Sequence, residues 1–171
     1  MVKFLHIILI QTFILLLALS CTAAGAKDLS FTISPDKSEY SKRDPINISF
    51  KLKNKGKKAV HVNRRFYINS EEAEEGEREV YFTVTSPGGE KLPCKHKSDT
   101  GFPRTDNFIL LGPGQEIKGE RPKNIKHLFD FKQQGVYKVL ATYKNSYGKE
   151  IGLDTFREKI DSEPIKIRIV E

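Results

Sequence analysis

The segment GVYKVLATY, residues 135–143, decides the fold class of this chain. Its odd-numbered positions, from Tyr137 to Tyr143, are apolar or aromatic, whereas its even-numbered positions include Lys138 and Thr142. Strict alternation of this kind places one face of a β-strand in a core and the other face in water. The segment therefore predicts a long strand that is buried on one face.

The same period of two recurs along most of the chain after residue 27. The alternating core positions are Leu29, Phe31 and Ile33; Ile46, Ile48, Phe50 and Leu52; Val60 and Val62; Val80, Phe82 and Val84; Phe108 and Leu110; and Ile165, Ile167 and Ile169. Segments rich in Gly, Pro and Asn separate these runs. Such residues supply the backbone angles that reverse a chain, so these segments are predicted to be turns. Many short strands joined by turns predict an all-β antiparallel sandwich.

The Gly-x-Tyr at the start of the long run narrows this prediction. In immunoglobulin-like sandwiches, a Tyr near the start of a late strand hydrogen-bonds back to the preceding corner, and Gly135 and Tyr137 are placed for that role. The alternative is that Tyr137 is an ordinary cross-strand aromatic. We predict an immunoglobulin-like antiparallel β-sandwich of about seven to nine strands over residues 29–171. The one helical candidate is short and lies at residues 124–131.

The first 26 residues have the composition of an export signal. Lys3 is followed by a run that is almost entirely apolar up to Leu19. A basic start followed by a hydrophobic centre is typical of a signal peptide. We therefore exclude this segment from the fold and expect an extracytoplasmic domain.

Two cleavage sites follow the apolar run. The segment LALSC, residues 17–21, resembles the bacterial lipobox, in which the Cys is lipidated and becomes the mature N-terminus. It predicts a signal peptide at residues 1–20, a lipid on Cys21, a tether at residues 21–28 and a domain anchored to the bacterial cell envelope, facing the periplasm or the exterior. The A-x-A site ending at Ala26 would instead release a soluble secreted protein, and an uncleaved anchor is the third alternative.

The composition excludes several classes of protein. The chain has 171 residues, 38 % of them hydrophobic and 30 % charged, with a net charge of +7. These values are incompatible with a disordered tail, a collagen-like chain or a multi-span membrane protein. Phosphate-loop and dinucleotide fingerprints are missing from the sequence. We predict neither an enzyme nor a cofactor, and no nucleic-acid partner, since export removes that partner and no recognition element is present.

Cys94 and His96 form the one metal-ligand pair that the sequence suggests. In a strand their side chains share one face, and His61 or His127 would complete a soft copper or zinc site. The simpler interpretation, which we favour, is a buried thiol beside a solvated imidazole.

Two long irregular segments and one basic cluster are candidate binding elements, because loops on a rigid sandwich commonly carry binding residues. Residues 95–107 include Phe102 and Arg104, and Phe102 would either contact a partner or close one end of the core. Residues 70–79 carry six Glu and predict a mobile, solvated loop. The basic residues would either protect a strand edge or contact an anionic surface; they are Lys51, Lys53, Lys55, Lys57, Lys58, Arg64 and Arg65.

Several segments carry a resemblance to known families. They are DKSEY at 36–40, PINI at 45–48, LKN at 52–54, LLGPGQ at 110–115, LFDF at 128–131 and GVYKV at 135–139. The chain resembles small bacterial extracytoplasmic immunoglobulin-like domains, the accessory sandwich of deuterolysin-type secreted zinc proteases, and the bacterial intracellular proteinase inhibitor family. Because these segments are turns and core strands, the resemblance implies a fold and transfers no functional residue. The His-Glu-x-x-His motif of such proteases is absent.

The sequence therefore predicts an exported, lipid-anchored, non-catalytic interaction or accessory domain whose partner is an envelope or secreted protein. One alternative is a protease inhibitor that presents an inter-strand loop. The other is a protein that handles copper or zinc through Cys94 and His96.

Overall fold

A computed structural model describes residues 28–72, 79–95 and 101–171. In chain order the strands are β1 (Leu29–Pro35), β2 (Glu39–Ser41), β3 (Asn47–Asn54), β4 (Val60–Asn63), β5 (Val80–Thr85), β6 (Phe108–Leu111), β7 (Glu116–Lys118), β8 (Lys123–Asn124), β9 (Gly135–Lys144), β10 (Lys159–Asp161) and β11 (Ile165–Val170). The helices of the described residues are two short 3-10 segments, Thr105–Asn107 and Lys149–Ile151.

The first sheet is built around β3. Strand β1 pairs antiparallel with the whole length of β3, so that Phe31 lies opposite Leu52. On the other edge of β3, β7 pairs with its second half and β8 with its first residues. Phe31, Phe50 and Leu52 are buried, whereas Lys51 and Lys53 on the opposite face remain partly exposed. The alternating sequence thus gives this sheet one core face and one polar face.

The second sheet is built around β9. Strand β5 lies along one edge of β9, while β11 and β10 share the other edge. Strand β2 joins the far side of β11 in parallel. The predicted inward residues of β9 are all buried, from Tyr137 to Tyr143. The buried faces of the two sheets form one hydrophobic cluster, and the chain is an immunoglobulin-like β-sandwich, as predicted.

Strands β4 and β6 form a separate two-stranded ribbon. Val62 and Leu111 are buried on its inner face, whereas Leu110 is 57 % exposed and lies opposite His61. The prediction that Leu110 belongs to the core is therefore wrong by one residue. The segment FILL of β6 is continuously apolar, so its sequence does not specify which residues face inward.

Packed aromatic rings occupy the centre of the core. Phe66 contacts Phe31, Phe50 and Tyr143, with ring centroids 5.9–6.3 Å apart. Each such pair contributes about 0.5–1.5 kcal/mol beyond the area it buries. Phe66 is also the one non-glycine residue in the described ranges with a positive φ, at 49°. This left-handed backbone costs about 1–2 kcal/mol, which the buried ring offsets.

Tyrosine hydroxyls fasten the chain at three places. The Tyr137 hydroxyl donates to the carbonyl of Gln133 at 2.9 Å and accepts from its N–H at 3.0 Å, which confirms the predicted corner. The Tyr143 hydroxyl makes the same pair of bonds with the backbone of Asn63, and Tyr40 donates to the Asp36 carboxylate at 2.6 Å. Gln133 and Asp36 are exposed, whereas Asn63 is fully buried, so two of these contacts link a core ring to the surface and the third links two buried strands.

Two further predictions are decided by the secondary structure. The described residues form eleven strands, whereas about seven to nine were predicted. Seven of the eleven have four or more residues, and the other four are shorter edge segments. The helix predicted at residues 124–131 is wrong: this segment is a hydrogen-bonded turn that begins at the end of β8, with Leu128 N–H bonded to the Ile125 carbonyl. Ile125 and Leu128 are both buried there, which a turn achieves as well as a helix.

Candidate functional site

Five residues from three connections between strands meet at one end of the sandwich, and we refer to them as the aromatic end. They are Arg65, Tyr67, Glu79, Phe102 and Tyr147. Arg65 and Tyr67 follow strand β4, Glu79 precedes β5 and Tyr147 follows β9, so the sheets fix where the backbones of these four residues leave the core. This end is the best-organised polar and aromatic cluster in the described part of the chain.

A buried ion pair forms the base of the aromatic end. The side chain of Arg65 is 9 % exposed and that of Glu79 is 1 % exposed. Arg65 Nε donates to Glu79 Oε1 at 2.7 Å, and its Nη2 donates to the same oxygen. Glu79 Oε2 accepts the N–H of Tyr67 at 3.1 Å. Both carboxylate oxygens are therefore satisfied, which a buried charge requires.

Arg65 also links this base to the exposed rings. Its guanidinium group lies 4.6 Å from the centroid of the Tyr67 ring, a cation–π distance. Its Nη2 donates to the carbonyl of Gly101 at 3.2 Å. Because Gly101 immediately precedes Phe102, Arg65 fixes the backbone from which the Phe102 side chain projects.

The loop after β9 carries Tyr147 on a second set of fixed contacts. The carbonyl of Tyr147 accepts hydrogen bonds of 2.6 Å from Asn145 Nδ2 and from Thr155 Oγ1. Phe156, which follows Thr155 in the chain, donates its N–H to the carbonyl of His61 at 2.9 Å, so the loop is attached to β4. Tyr147 in turn meets Phe102 edge to face, with 5.3 Å between ring centroids.

Both residues predicted to bind a partner lie at the surface. Phe102 is 81 % exposed, the largest exposure of any large hydrophobic residue in the described ranges. Of the two alternatives for Phe102, closing the core is therefore wrong. The Arg104 side chain is also exposed, and its Nε lies 3.5 Å from Asp106 Oδ1. A role for either residue in binding stays a prediction.

Burial controls the protonation of the tyrosine beneath this site. Burial, and to a smaller extent the charge of Glu79, raises the pKa of the Tyr143 hydroxyl far above its ordinary value. Tyr143 therefore stays neutral and keeps donating to the Asn63 carbonyl. The hydroxyl serves as a structural link beneath the ion pair.

Glu79 and Arg65 are the residues whose role sequence reasoning missed. Glu79 was grouped with a solvated acidic loop, and Arg65 with a basic surface cluster, yet the two neutralise each other away from solvent. Residues 73–78 of the acidic loop lie outside the described residues. The one available signal was that both residues flank aromatic or apolar positions, Phe66 and Val80, which proved to be buried.

The metal-site prediction receives no support from the described residues. Cys94 is half-buried and packs against the core beside Leu92. His96 lies outside the described ranges, and within those ranges no three His, Cys, Asp or Glu side chains are grouped to hold a metal ion. The copper or zinc hypothesis therefore stays a prediction, as does the lipid on Cys21, which lies in the undescribed first 27 residues.

The basic cluster is divided by the fold. Lys51 and Lys53 lie on β3, which is paired on both edges at these positions, so these lysines do not protect an edge strand. Lys51 Nζ lies 3.7 Å from Glu116 Oε2. Arg65 is buried in the aromatic end.

Within the described ranges, no helix has the length and apolar character needed to cross a membrane.

Comparison with known proteins finds similarity to solved structures. No protein-family model matches the chain, and a search of curated proteins finds no match. The chain is similar to the crystal structure of a CARDB domain from Pyrococcus furiosus in complex with di-metal ions, with a TM-score of 0.40 and 14 % identity over 84 % of this chain and 88 % of that chain. It is also similar to a β-glucosidase from Erythrobacter marinus, with a TM-score of 0.35 and 13 % identity over 83 % of this chain and 15 % of that chain. The particular families that the sequence resembles stay predictions.

Proposed function

We propose that this protein is an exported, non-catalytic interaction domain that binds an envelope or secreted protein through its aromatic end. The observation that carries the proposal is Phe102, whose ring is 81 % exposed on a segment with a fixed base. Exposed aromatic anchors on well-ordered segments are typical of the few residues that dominate protein–protein affinity.

The fixed base matters because it reduces the cost of binding. A loop that orders only on association loses conformational entropy at that moment. Here Arg65 bonds the carbonyl of Gly101, and Tyr147 contacts the Phe102 ring from a loop with its own hydrogen bonds. The anchor is therefore presented in one orientation before a partner arrives.

The export signal provides the setting for this activity. In the proposal, the lipid on Cys21 holds the domain at the bacterial cell envelope, so that the aromatic end meets partners at the membrane surface. Cleavage after Ala26 would give the same binding domain in soluble, secreted form. The intact mass of the mature protein from its native envelope distinguishes a lipidated N-terminus at Cys21 from one at Lys27.

Site-specific photo-cross-linking tests the binding surface. A photoreactive phenylalanine analogue replaces Phe102 in one variant and Leu110 in a matched control, since Leu110 is also exposed but lies on the β4–β6 ribbon. We expect a discrete adduct in native envelope extracts from position 102 and none from position 110. Competition by unlabelled wild-type protein, but not by Phe102→Ala, shows that the adduct reports binding. Equal adducts from both positions would contradict the proposal.

A second candidate function, inhibition of a protease, is favoured by the geometry around Arg104. Its backbone is extended, with φ −85° and ψ 164°. The N–H of Arg104 donates to Asn107 Oδ1 at 2.7 Å, and its carbonyl accepts from the Asn107 N–H at 2.9 Å. Arg104 therefore presents an exposed basic side chain from one extended residue whose backbone is held by Asn107, immediately before the 3-10 segment Thr105–Asn107.

The inhibitor hypothesis makes its own prediction. The purified domain would slow a protease that cleaves after basic residues, and Arg104→Ala would abolish the effect, while Phe102→Ala would leave it largely intact. If the wild-type domain inhibits no secreted protease with this specificity, the hypothesis is wrong. That result would leave the interaction proposal standing.

A further inference from the structure

The outer face of the second sheet carries an unusual arrangement of cations. Lys138 of β9 and Lys166 of β11 lie directly opposite each other, and both are exposed. Directly opposed residues of an antiparallel pair have Cβ atoms about 4.5–5.5 Å apart, and like charges at that separation destabilise the pair. In the described part of the chain, no carboxylate forms an ion pair with either lysine. The sheet thus keeps a repulsive contact that folding does not require.

Arg168 extends this charge along β11. It lies two residues beyond Lys166 on the same face, about 6.6 Å further along the strand, and it is exposed. Its cross-strand neighbours are Val136 on β9 and Glu39 on β2. Glu39 is the one acidic residue in register with this group.

A second pair of opposed lysines continues the charge toward the other end of β9. Lys144 lies opposite Lys159 of β10. Asp161 lies 3.9 Å from Lys159 and reduces the charge there. Together these residues form a line of cations that follows β9 for about 25 Å. We call it the cation strip, and its members are Lys138, Lys144, Lys159, Lys166 and Arg168.

The opposite face of the sandwich provides a contrast. On the first sheet Lys51 also lies directly opposite a lysine, Lys118. There, however, Lys51 forms an ion pair with Glu116 at 3.7 Å. Of the three opposed lysine pairs in the described residues, Lys51–Lys118 and Lys144–Lys159 thus have an acidic neighbour, whereas Lys138–Lys166 forms no ion pair.

We propose that the cation strip is a docking surface for a linear polyanion, a polymer chain with anionic groups along its length. Lys166 and Arg168 are about 6.6 Å apart along β11, whereas Lys138 and Lys144 are about 20 Å apart along β9, with Leu140 and Thr142 between them. The cations thus form two groups on one line, and an extended chain with anionic groups along its length can contact both groups. A membrane surface is the less suitable partner, because binding at the interface uses buried apolar side chains. Of the large hydrophobic residues exposed in the described ranges, only Val136 lies on the strip.

Binding of labelled heparin fragments of defined length to the mature protein tests this inference. The strip variant Lys138→Gln/Lys166→Gln is compared with the control variant Lys51→Gln/Lys118→Gln. Both variants lose two positive charges, so general electrostatic attraction falls equally in the two proteins. Only the location of the lost charges differs. Circular dichroism and thermal unfolding establish that each variant folds, and the strip variant should be at least as stable as the wild type.

We expect the strip variant to bind heparin about 25-fold more weakly, roughly fivefold per lysine, and the control variant to change by less than about threefold. Affinity should rise with fragment length and fall linearly with the logarithm of salt concentration. Equal losses in the two variants would mean that net charge alone acts, and would overturn the inference. It would also be overturned if wild-type protein fails to bind heparin, or if vesicles of phosphatidylglycerol bind more tightly with the same lysine dependence. The strip does not include the aromatic end, so these outcomes do not bear on the proposed function.

Discussion

The hydroxyl of Tyr143 donates to the carbonyl of Asn63 and accepts from its N–H, both at 3.0 Å, and both residues are fully buried. This contact joins the end of β9 in the second sheet to the end of β4 in the ribbon. Two residues further along the chain, Arg65 enters the ion pair with Glu79. The core and the aromatic end are therefore connected through a few residues of backbone.

Removing the Tyr143 hydroxyl should be costly because water cannot replace it. Tyr143→Phe leaves two buried backbone groups of Asn63 unpaired, and we expect a loss of about 2–3 kcal/mol in the free energy of unfolding. Tyr137→Phe is the control: its partner, Gln133, is exposed to solvent, so the loss should be about 1 kcal/mol or less. Urea denaturation measures both. Equal losses would show that burial of the acceptor does not decide the cost.

Breaking the ion pair at one side should destabilise the protein more than removing both partners. Glu79→Gln leaves the Arg65 charge largely buried without a counter-ion, and we expect a loss of about 3–5 kcal/mol. The double variant Arg65→Met/Glu79→Gln should lose less stability than Glu79→Gln alone, because it leaves no uncompensated buried charge, and a double-mutant cycle measures the coupling.

The exposed pair of Lys37 and Asp44, 3.3 Å apart, is the matched control for that cycle. Asp44→Asn should lower the free energy of unfolding far less than Glu79→Gln does, because solvent screens the charge. If the two pairs show the same coupling, burial of Arg65 and Glu79 is not what makes their contact strong.

The contrast between the tyrosine corner and the ion pair shows what the sequence reveals and what it conceals. The Tyr137 hydroxyl bonds the backbone of Gln133, only four residues away, so the local Gly-x-Tyr pattern within a predicted sandwich is enough to predict the corner. Arg65 and Glu79 are fourteen residues apart, and each lies in a run of like charge. Their meeting depends on how the loops pack against the sheets, which charge patterning along the chain does not encode.

The prediction of which β6 residues face the core is wrong for a different reason. Alternation identifies the inner face only when polar residues mark the outer face. In β9, Lys138 supplies that mark; in β6, four apolar residues follow one another, and the pairing of Leu110 with His61 decides which side faces solvent. The expected consequence is that Leu110→Gln leaves the free energy of unfolding within about 0.5 kcal/mol of wild type. Leu111→Ala should cost about 2–5 kcal/mol in the same denaturation experiment.

Ionisation of the Tyr40 hydroxyl should lower the free energy of unfolding at alkaline pH. Burial and the hydrogen bond to Asp36 raise the pKa of Tyr40 to about 12 from 10.0. Because the folded-state pKa exceeds the unfolded value, the contribution of Tyr40 is complete below about pH 10 and is lost progressively as the pH rises toward 12. The loss should reach about 1 kcal/mol by about pH 11.

Urea denaturation at several values between about pH 8 and pH 11, for the wild type and Tyr40→Phe, isolates this effect. Tyr143 is present in both proteins, so its own titration cancels in the difference. The variant should show the shallower fall in stability with pH. Parallel curves would mean that the Tyr40 hydroxyl has the same proton affinity in the folded and unfolded states.

The loop that carries Tyr147 depends on a glycine for a steric reason that a second glycine lets us test. At Gly148, φ is 137° and an added Cβ would lie 2.2 Å from Thr155 Oγ1, the hydroxyl that bonds the Tyr147 carbonyl. At Gly152, φ is also positive, at 71°, yet an added Cβ would meet no atom within 4 Å. Gly152→Ala therefore incurs backbone strain alone, about 1–2 kcal/mol, whereas Gly148→Ala should cost more and displace Thr155.

Of the two variants, only Gly148→Ala should also weaken cross-linking from position 102, because the edge-to-face contact of Tyr147 with Phe102 depends on the hydrogen bond from Thr155 to the Tyr147 carbonyl. If cross-linking is unchanged in Gly148→Ala, Tyr147 does not orient the anchor, and the orientation of Phe102 rests on Arg65 and Gly101 alone.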